Sequence, residues 1–519
     1  MPAKAPPTRP NILLIMSDEH AAHIAGYAGD RQIRTPQLDR LESQSSRFEQ
    51  AYCTSPACTP SRMCILTGKE PYRCAAWGNH WMIFPEHKTW PAHFAAHGYA
   101  TSLVGKMHFG GKDQMQGFQV RPYGDFRHGL GHQPEPLALF PGYNAQESAG
   151  VCEIPESLNH DVVVTREPLA QVLEHRAARP QQPWFVCASY TRPHSPFTAP
   201  ARFFRRYEGK VFAEPLPKNP EAEYDPYMLG LAKKSWQIET TQARNDRGLQ
   251  GYYAALDFVD DCIGELLRGL EEAGALDHTI VIYTSDHGDL CGRHGYFGKG
   301  VHFEEAIRVP LLIRLPQGQR RHRVIQRPVS LMDLYPTACG LAGLPVPRGL
   351  DGLDLSRRVR SGRQNAWPRA TVSSMYCQWG ARINYTKQAF DTTPYAAFRS
   401  LRWRDWKYVA IQGGRPLLFN LKTDPLERTN LAGQARHAKL LRRLDALTFA
   451  GYSWRKYQSQ LRRDRRRIPK YASGLRPTTP NQYQFPDGRR FDAEASLYQD
   501  RFLVLPPHMT GGIIPQQVF

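Results

Sequence analysis

The sequence predicts an α/β protein in which a large mixed, mostly parallel sheet lies between helices and a smaller C-terminal α+β subdomain contains an antiparallel sheet. From residue 11 to about residue 344, short apolar runs alternate with helical stretches, which is the pattern of strand–helix–strand units. After about residue 345, short runs joined by turns such as Gly413-Gly414 indicate the antiparallel sheet. The 519 residues, 41% of them apolar, provide ample core material for one large and one small domain.

The candidate strands of the large sheet are apolar runs that each end where polar residues cluster. They span residues 12–17, 101–105, 184–190, 279–285 and 310–315. In an open parallel sheet the carboxyl ends of the strands gather the groups that bind a ligand. We therefore expect the functional residues to follow these runs directly.

Helix signals accompany these strands. The clearest helix spans about residues 251–272, where apolar side chains recur at steps of three and four residues and Gly274 provides a stop. Thr35-Pro36 predicts an N-cap and first-turn proline of a short helix through residue 41, and Pro60 predicts the start of another through residue 66. Residues 194–245 are rich in proline, lysine and arginine with little periodicity, so we expect an irregular surface segment there.

Composition divides the chain into three parts. Residues 10–365 form the predicted large α/β domain. Residues 366–453 form the small subdomain, with strands at about 397–403, 407–411 and 416–420 and a helix over 435–447. Residues 454–519 are basic first and then aromatic and proline-rich. We expect this tail to lie across the surface of a neighbouring subunit and to mediate homo-oligomerisation.

Charge, apolar runs, the first residues and cysteine spacing indicate the kind of partner and the compartment of this protein. Lys and Arg total 67 against 48 for Asp and Glu, and the net charge of +19 favours an anionic partner. Apolar runs fall far short of the ~20 residues of a membrane span, so no membrane association is expected. The first residues, MPAKAPPTRP, lead straight into an apolar strand without the parts of a secretion signal. The ten cysteines lack paired metal or disulfide spacings, which predicts a cytoplasmic protein with free thiols.

The strongest motif is Cys58-Thr59-Pro60-Ser61-Arg62, continued by Leu66-Thr67-Gly68. A residue at the start of a helix faces unpaired N–H groups and the positive end of the helix dipole, which suits an anionic nucleophile, and Arg62 adds a cation one turn away. The string resembles the signature of the type I sulfatases of the alkaline phosphatase superfamily. The resemblance implies an alkaline phosphatase-like fold. It also implies that a separate maturase oxidises Cys58 to formylglycine (3-oxoalanine), whose hydrated aldehyde is the nucleophile.

Acidic residues after two of the predicted strands indicate a metal site. Asp18 ends the first strand, and Asp286-His287 follow the strand at 279–285. Oxygen ligands suit Ca²⁺ or Mg²⁺, and His287 leaves Mn²⁺ or another transition metal open. The family resemblance assigns one divalent ion, Ca²⁺ first, to Asp18, the modified Cys58, Asp286 and His287. Many sulfatases carry two adjacent aspartates where this chain has Asp18-Glu19, so a fifth ligand at Glu19 is left open.

Two further motifs follow the strands at 101–105 and 184–190. The segment GKMHFG at 105–110 is similar to the family's G-K-W-H-x-G, and RPHSPF at 192–197 resembles P-H-x-P-F. The resemblance implies that Lys106 holds negative charge near the nucleophile and that His108 deprotonates the remaining hydroxyl of the formylglycine. Lys299, thirteen residues beyond Asp286, occupies the position of the family's sulfate-binding lysine. His194 and Lys299 are then expected to bind the transferred group and help protonate the leaving oxygen.

Weaker similarity extends the resemblance over about residues 10–435. Together the motifs predict a sulfuric ester hydrolase that releases inorganic sulfate and an alcohol or phenol from a small anionic sulfate ester. The nearest alternative is a phosphonate monoester or phosphodiester hydrolase of the same superfamily, because a metal ion and several cations also accept phosphoryl groups. The single aspartate at Asp18 and His287 in place of the commoner asparagine keep this alternative open.

A basic polyanion-binding protein with an inactive site is a third interpretation. Its support is the net charge and the basic run at residues 462–467. A charge run is usually a solvated face, and no recognised nucleic-acid module accompanies this one. We therefore expect no nucleic-acid partner.

Overall fold

The structure, a computed structural model, describes residues 9–79, 81–110, 113, 115–124, 146, 149–152, 155–216, 241–319, 321–364, 371–376, 383–384, 389–390, 397–471, 482–484 and 490–492. Its strands in chain order are β1 Asn11–Asp18, β2 Ser46–Phe48, β3 Ala51–Tyr52, β4 Ala100–Gly105, β5 Val120–Tyr123, β6 Gly150–Val151, β7 Trp184–Pro193, β8 Thr198–Ala199, β9 Thr279–Ser285, β10 Leu311–Arg314, β11 Arg323–Ile325, β12 Val329–Ser330, β13 Thr371–Tyr376, β14 Ile383–Asn384, β15 Ala389–Phe390, β16 Phe398–Trp403, β17 Trp406–Ile411, β18 Leu417–Asn420, β19 Gln482–Gln484 and β20 Arg490–Asp492. Its α-helices are α1 Pro36–Glu42, α2 Cys58–Thr67, α3 Trp90–Ala96, α4 His160–Ala178, α5 Ala201–Tyr207, α6 Gln242–Glu272, α7 Glu304–Ile307, α8 Leu334–Ala342, α9 Ser356–Ser361, α10 Ala438–Thr448 and α11 Trp454–Tyr471.

The large sheet has eight strands in the order β11-β2-β10-β9-β1-β7-β4-β5. Its centre is parallel, because β1 pairs in parallel with β9 and β7, and β4 pairs in parallel with β7 and β5. Strand β10 runs antiparallel to both of its neighbours, so the sheet is mixed. Each predicted strand of this sheet is present within three residues of its predicted bounds.

Strand β1 shows why helices cover both faces of the sheet. Its side chains alternate between two cores, with Ile12, Leu14 and Met16 in one and Leu13 and Ile15 in the other. Every residue of β1 is buried, as expected for a parallel strand that is covered on both faces. The predicted fold class is confirmed.

The long helix α6 begins nine residues before the predicted start at residue 251 and ends at Glu272 as predicted. Thr241 caps its first turn, since the Oγ1 atom accepts the N–H of Arg244 at 3.3 Å. Gly274 follows the helix with a φ of +64°, the left-handed conformation that favours glycine. Among the described helices, none combines the length and the apolar character needed to cross a bilayer.

Two predicted helix starts need correction. Helix α2 begins at Cys58 rather than at Pro60, because Ala57 is the extended N-cap residue. Pro60 is then the third helical residue, where a missing N–H costs no intrahelical hydrogen bond. Thr35 precedes α1 as predicted but caps no N–H group of that helix. The carboxylate of Asp260 on α6 takes this role and accepts the N–H groups of residues 37 and 38 at 3.0 and 2.8 Å.

The segment 194–245, expected to be irregular, contains the short helix α5 and the start of α6. Phe203 and Tyr207 lie on the buried face of α5. The ring of Phe203 packs on Phe258 of α6 at 5.2 Å, and the Tyr207 hydroxyl donates to Asp257 at 2.8 Å. Residues 217–240 of this segment lie outside the described residues.

The C-terminal subdomain contains an antiparallel sheet in the order β13-β16-β17-β18. One face of this sheet packs on the large domain, where Val409 and Leu417 join Phe303 in a common cluster. The other face packs on α10, which begins after a 3-10 turn at Ala435–His437, through Tyr408 and Leu444. The predicted helix over 435–447 therefore corresponds to this turn and α10.

Helix α11 forms the first part of the predicted tail. Its buried residues Tyr457, Leu461 and Asp464 recur at steps of four and three, so they lie along one side of the helix. This side packs on the large domain of the same chain, with the ring of Tyr457 5.2 Å from that of Trp77. Most residues after 471 lie outside the described part of the chain, so the expected contact with a neighbouring subunit stays a prediction.

Candidate active site

The carboxyl edge of the large sheet brings the predicted site segments together. Strands β9, β1, β7 and β4 are neighbours in this order, and Asp286, Asp18, His194 and Lys106 lie at or directly after their ends. Because the strands are parallel, these side chains reach the same edge of the sheet. The other predicted site residues reach it on α2 and on loops: Cys58, Arg62, His108, His287 and Lys299.

Helix α2 presents Cys58 at its first turn. The residue is 1% exposed, so its side chain faces the interior of the protein. Its Sγ atom lies 3.3 Å from Nε2 of His287, 3.9 Å from Oδ1 of Asp18 and 4.0 Å from Nζ of Lys106. Position 58 therefore contacts acidic and basic groups at once.

Four buried side chains form a cluster suited to a cation. One ligand atom each from Asp18, Cys58, Asp286 and His287 lies within 4.8 Å of the others. Nδ1 of His287 is 2.9 Å from the carbonyl oxygen of Gly288, which orients Nε2 towards the cluster. Two carboxylates and an imidazole are a donor set that accepts Ca²⁺, Mg²⁺ or Mn²⁺.

Arg62 holds the two aspartates of this cluster in place. Its Nε donates to Asp286 at 2.7 Å and its Nη2 to Asp18 at 3.3 Å, while Nη1 donates to the carbonyl of Lys106 at 2.6 Å and to the Ser189 hydroxyl at 2.9 Å. Burial raises the pKa of Asp286, but the nearby positive charges, Arg62 first among them, together outweigh burial, and the pKa lies well below its usual range. Arg62 is fully buried and its guanidinium contacts protein groups. Arg62 therefore affects the cation cluster through the two aspartates that it holds.

The loop after β4 places Lys106 and His108 beside α2. Nζ of Lys106 forms an ion pair with Asp18. The Thr59 hydroxyl donates to the carbonyl of His108 at 2.7 Å, which ties this loop to the first turn of α2. His108 is buried and has a φ of +57°, a left-handed conformation that residues with a Cβ rarely adopt. Such strain is concentrated at functional sites.

Glu19 joins the two residues predicted to bind the transferred group. Its Oε2 is 2.6 Å from Nζ of Lys299 and 3.4 Å from Nε2 of His194. Its backbone N–H donates to Asp286 at 3.1 Å, and its φ is +71°. Burial raises the pKa of Glu19 to about 8, against the opposing effect of Lys299. Glu19 thus contacts the predicted sulfate-binding groups, and it also forms a second compact group with Asp18 and His194.

Sequence patterns did not indicate several polar groups of the site. Asn79 accepts the N–H of Thr59 at 3.1 Å, next to position 58, yet it belongs to no motif. Ser189, which accepts from Arg62, lies in the apolar strand β7, and a polar residue near a strand's carboxyl end was the only signal for it. The serine of the C-x-P-S-R string, Ser61, donates to the carbonyl of Asp286 at 2.6 Å and holds the loop after β9.

The unmodified thiol of Cys58 is a poor nucleophile in this environment. Burial, followed by the charge of Asp18, raises the pKa of Cys58 to about 12. Since the thiolate is the nucleophilic form, the neutral thiol at pH 7 is nearly inert. The position suits a nucleophile other than a cysteine thiol.

Comparison with known proteins identifies the family. The sequence model of the family named Sulfatase matches residues 10–344, and that of N-sulphoglucosamine sulphohydrolase, C-terminal, matches residues 292–449. The chain is 30% identical over 453 residues to a choline-sulfatase of Rhizobium meliloti (strain 1021), covering 82% of this chain and 83% of that protein. It is 29% identical over 455 residues to arylsulfatase K of Bos taurus, covering 82% and 79% of the two chains.

Solved structures share the fold. A phosphonate monoester hydrolase of Agrobacterium radiobacter superposes with a TM-score of 0.73 at 22% identity, over 87% of this chain and 96% of that chain. A protein solved in complex with its substrate D-glucosamine-2-N,6-O-disulfate gives a TM-score of 0.69 at 23% identity, over 87% and 99% of the two chains. The chain belongs to the sulfatase family of the alkaline phosphatase superfamily and is a sulfuric ester hydrolase.

Proposed function

We propose that this protein cleaves its sulfate ester with formylglycine at position 58 as the nucleophile and with one divalent metal ion as cofactor. A single observation carries the proposal: the side chain at position 58 lies both in the four-residue cation cluster and within 4.0 Å of Lys106. A nucleophile in this place lies beside the residues that would hold a metal ion and beside a lysine that can hold a substrate anion. The neutral thiol of Cys58 provides no comparable reactivity.

Formylglycine at position 58 would supply two hydroxyl groups when hydrated, one to attack sulfur and one whose deprotonation would release sulfate and restore the aldehyde. An unmodified serine has only the first of these hydroxyls. Its sulfate ester would persist, so turnover would stop after one event. We therefore propose a maturase that converts Cys58 as a partner of this protein.

The residues of the cluster fit a divalent metal. Asp18, Asp286, His287 and the modified residue 58 would hold it, with Ca²⁺ the first candidate and Mg²⁺ or Mn²⁺ as alternatives. When bound, the ion stabilises negative charge on the sulfuryl oxygens and favours an ionised nucleophile. Arg62 keeps the two aspartates ionised and correctly aimed, so we assign it a positioning role rather than contact with the substrate.

The remaining cations and imidazoles act on the substrate. Lys106 and Lys299 bind the sulfuryl oxygens and stabilise the charge that develops on them. His194 and Lys299 contact the same carboxylate oxygen of Glu19. His194 donates a proton to the leaving oxygen. His108, tied to the first turn of α2 through Thr59, accepts the proton of the second hydroxyl.

Substitution at position 58 tests this proposal. Cys58→Ser, with its serine unmodified, should lose multiple turnover on p-nitrophenyl sulfate, and Cys58→Ala should be equally inactive. Inorganic sulfate release per enzyme molecule is the measurement, with mass spectrometry of the residue-58 peptide to show that serine was not converted. Sustained turnover by Cys58→Ser with an intact serine would contradict the proposal.

We also propose that the tail after α11 assembles the protein into a homo-oligomer and shapes a neighbour's pocket. Its support is the aromatic and proline-rich composition of residues 472–519. A truncation after Tyr471 keeps α11 and removes this part. Light scattering should then show a smaller assembly, and an unchanged assembly with unchanged kinetics would refute the role.

A further inference from the structure

The segment between α2 and α3 connects two parts of the active site. We call residues 77–86, of which residue 80 is outside the described part, the bridging segment. Asn79 in this segment accepts the N–H of Thr59, the neighbour of residue 58, at 3.1 Å. The carbonyl of Trp81 accepts the N–H of Gly110, two residues after His108, at 2.9 Å. The bridging segment thus contacts both the nucleophile helix and the loop that carries the predicted base.

Helix α11 holds the bridging segment from its other side through a buried hydrogen bond. Nε1 of Trp77 donates to Asp464 at 2.9 Å, and the side-chain amide of Gln460 donates to the second oxygen of Asp464 at 2.9 Å. Trp77 is fully buried and Asp464 is 1% exposed. A buried carboxylate is tolerated only when its oxygens find donors, so this contact fixes the register of α11 on the segment.

A second contact lies one helical turn further along α11. Arg467 pairs with Glu86 at 2.7 Å, and its guanidinium lies 3.8 Å above the centroid of the Phe84 ring. Both ends of the bridging segment are therefore held by α11, with Trp77 at one end and residues 84 and 86 at the other. The contacts join residues almost 400 positions apart in the chain, since Trp77 and Asp464 are 387 residues apart.

We propose that Asp464 and Arg467 are positioning residues for the sulfatase reaction. Through Trp77, Phe84 and Glu86 they hold the bridging segment, which in turn holds the first turn of α2 and the loop after His108. The proposal rests on the proposed roles of residue 58 and His108. A reacting group displaced by about 1 Å costs roughly 100-fold in rate, so distant contacts of this kind affect kcat.

Substitution of Asp464 tests the proposal. Asp464→Leu removes the acceptor for Trp77 at similar size, whereas Asp464→Asn keeps an acceptor oxygen. With p-nitrophenyl sulfate, Asp464→Leu should lower kcat by about 10- to 100-fold with little change in KM, and Asp464→Asn should stay within about threefold of the wild type. Rates are expressed per formylglycine and per bound metal ion. Arg462→Ala, an exposed position on the same helix, is the matched control and should behave as the wild type.

Amide hydrogen exchange provides a readout that does not depend on activity. Exchange at Thr59 and Gly110 should become faster in Asp464→Leu and stay unchanged in Arg462→Ala. A lower melting temperature with wild-type kcat and unchanged exchange at these two amides would overturn the proposal and leave α11 a purely structural element. If Asp464→Leu does not fold, Arg467→Gln takes its place, and unchanged kcat and exchange in that variant would likewise overturn it. If wild-type protein that carries the aldehyde is inactive, the proposed function is refuted. The exchange data would still show whether α11 holds the bridging segment in place.

Discussion

Arg62 and Asp286 form a fully buried ion pair in which Nε donates to the carboxylate at 2.7 Å, and the same guanidinium reaches Asp18 at 3.3 Å. Two carboxylates that would repel each other in a dry interior are thus held together by one cation. Asp286 in turn has a lowered pKa, against the effect of burial. This arrangement keeps a divalent-ion site ionised before any ion arrives.

We predict that loss of this cation destabilises the protein strongly. Arg62→Met leaves the buried Asp286 without its arginine partner and Asp18 with Lys106 alone. It should lower the free energy of unfolding by about 3–5 kcal/mol, measured by urea denaturation of the metal-free protein. Arg166 pairs with Glu265 at 3.7 Å on the surface, and both side chains are about half exposed. Arg166→Met is therefore the matched control, with an expected loss below about 1 kcal/mol. Equal losses in the two variants would contradict this assignment.

Metal dependence is the second prediction. A chelator should abolish sulfate release, and re-addition of Ca²⁺, Mg²⁺ or Mn²⁺ should restore it and rank the ions. Asp286→Asn should lower the metal content of the purified protein to a small fraction, because it removes a charged ligand of the cluster.

Asp289→Asn is the control for metal content. Asp289 follows closely in the chain, but its carboxylate accepts the N–H groups of Cys291 and Gly298 and lies outside the cation cluster. This variant should keep its metal ion. Full metal content in Asp286→Asn, measured by elemental analysis, would show that Asp286 is not a metal ligand.

The sequence predicts the parts of this site that local patterns determine, and it does not predict the parts that depend on contacts between distant segments. Asp18, Lys106 and Asp286 each follow an apolar run, and parallel pairing brings the ends of such runs together whatever their separation in the chain. The direction of β10 leaves no signature in its own residues, because an apolar strand has the same pattern in either direction. Pro60 was a misleading helix start, because proline is tolerated at each of the first helical positions.

The basic run at residues 462–467 shows that composition does not reveal contacts with distant parts of the chain. Its composition predicts a solvated face, yet Asp464 and Arg467 bond to Trp77 and Glu86. Tyr457 and Leu461 recur four residues apart in the sequence, as on one side of a helix. The surface on which they pack, which includes Trp77, lies hundreds of positions earlier in the chain. Asn79 is a similar case, since only the folded chain places its side chain beside Thr59.

The third prediction concerns His194 and the leaving group. If His194 protonates the departing oxygen, its removal should lower the rate most for esters with poor leaving groups. His194→Ala should lower kcat/KM by about 100-fold or more for alkyl sulfates and by less than about tenfold for p-nitrophenyl sulfate. Lys106→Ala should lower the rates for all esters by a similar factor, since it binds charge on the sulfuryl group. A series of aryl sulfates with graded phenol pKa measures the difference, and parallel slopes for the two variants would contradict the assignment.

Preference for the transferred group is the fourth prediction. p-Nitrophenyl sulfate and p-nitrophenyl phenylphosphonate share a leaving group and a single negative charge, so their rates compare the transferred groups alone. We expect kcat/KM for the sulfate to be at least about tenfold higher, in line with the family of the chain. Faster phosphonate cleavage would instead support the phosphonate and phosphodiester hydrolase alternative, which the shared fold also accommodates.

The chemical state of residue 58 decides whether formylglycine is the nucleophile of this protein. The protein is expressed together with a formylglycine-generating maturase, and the mass of the proteolytic peptide that contains Cys58 is measured. We expect an aldehyde or its hydrate in place of the thiol, together with multiple turnover in proportion to the converted fraction. An unmodified thiol in a protein that still releases sulfate catalytically, with a maturase shown to act on a control protein, would contradict this expectation.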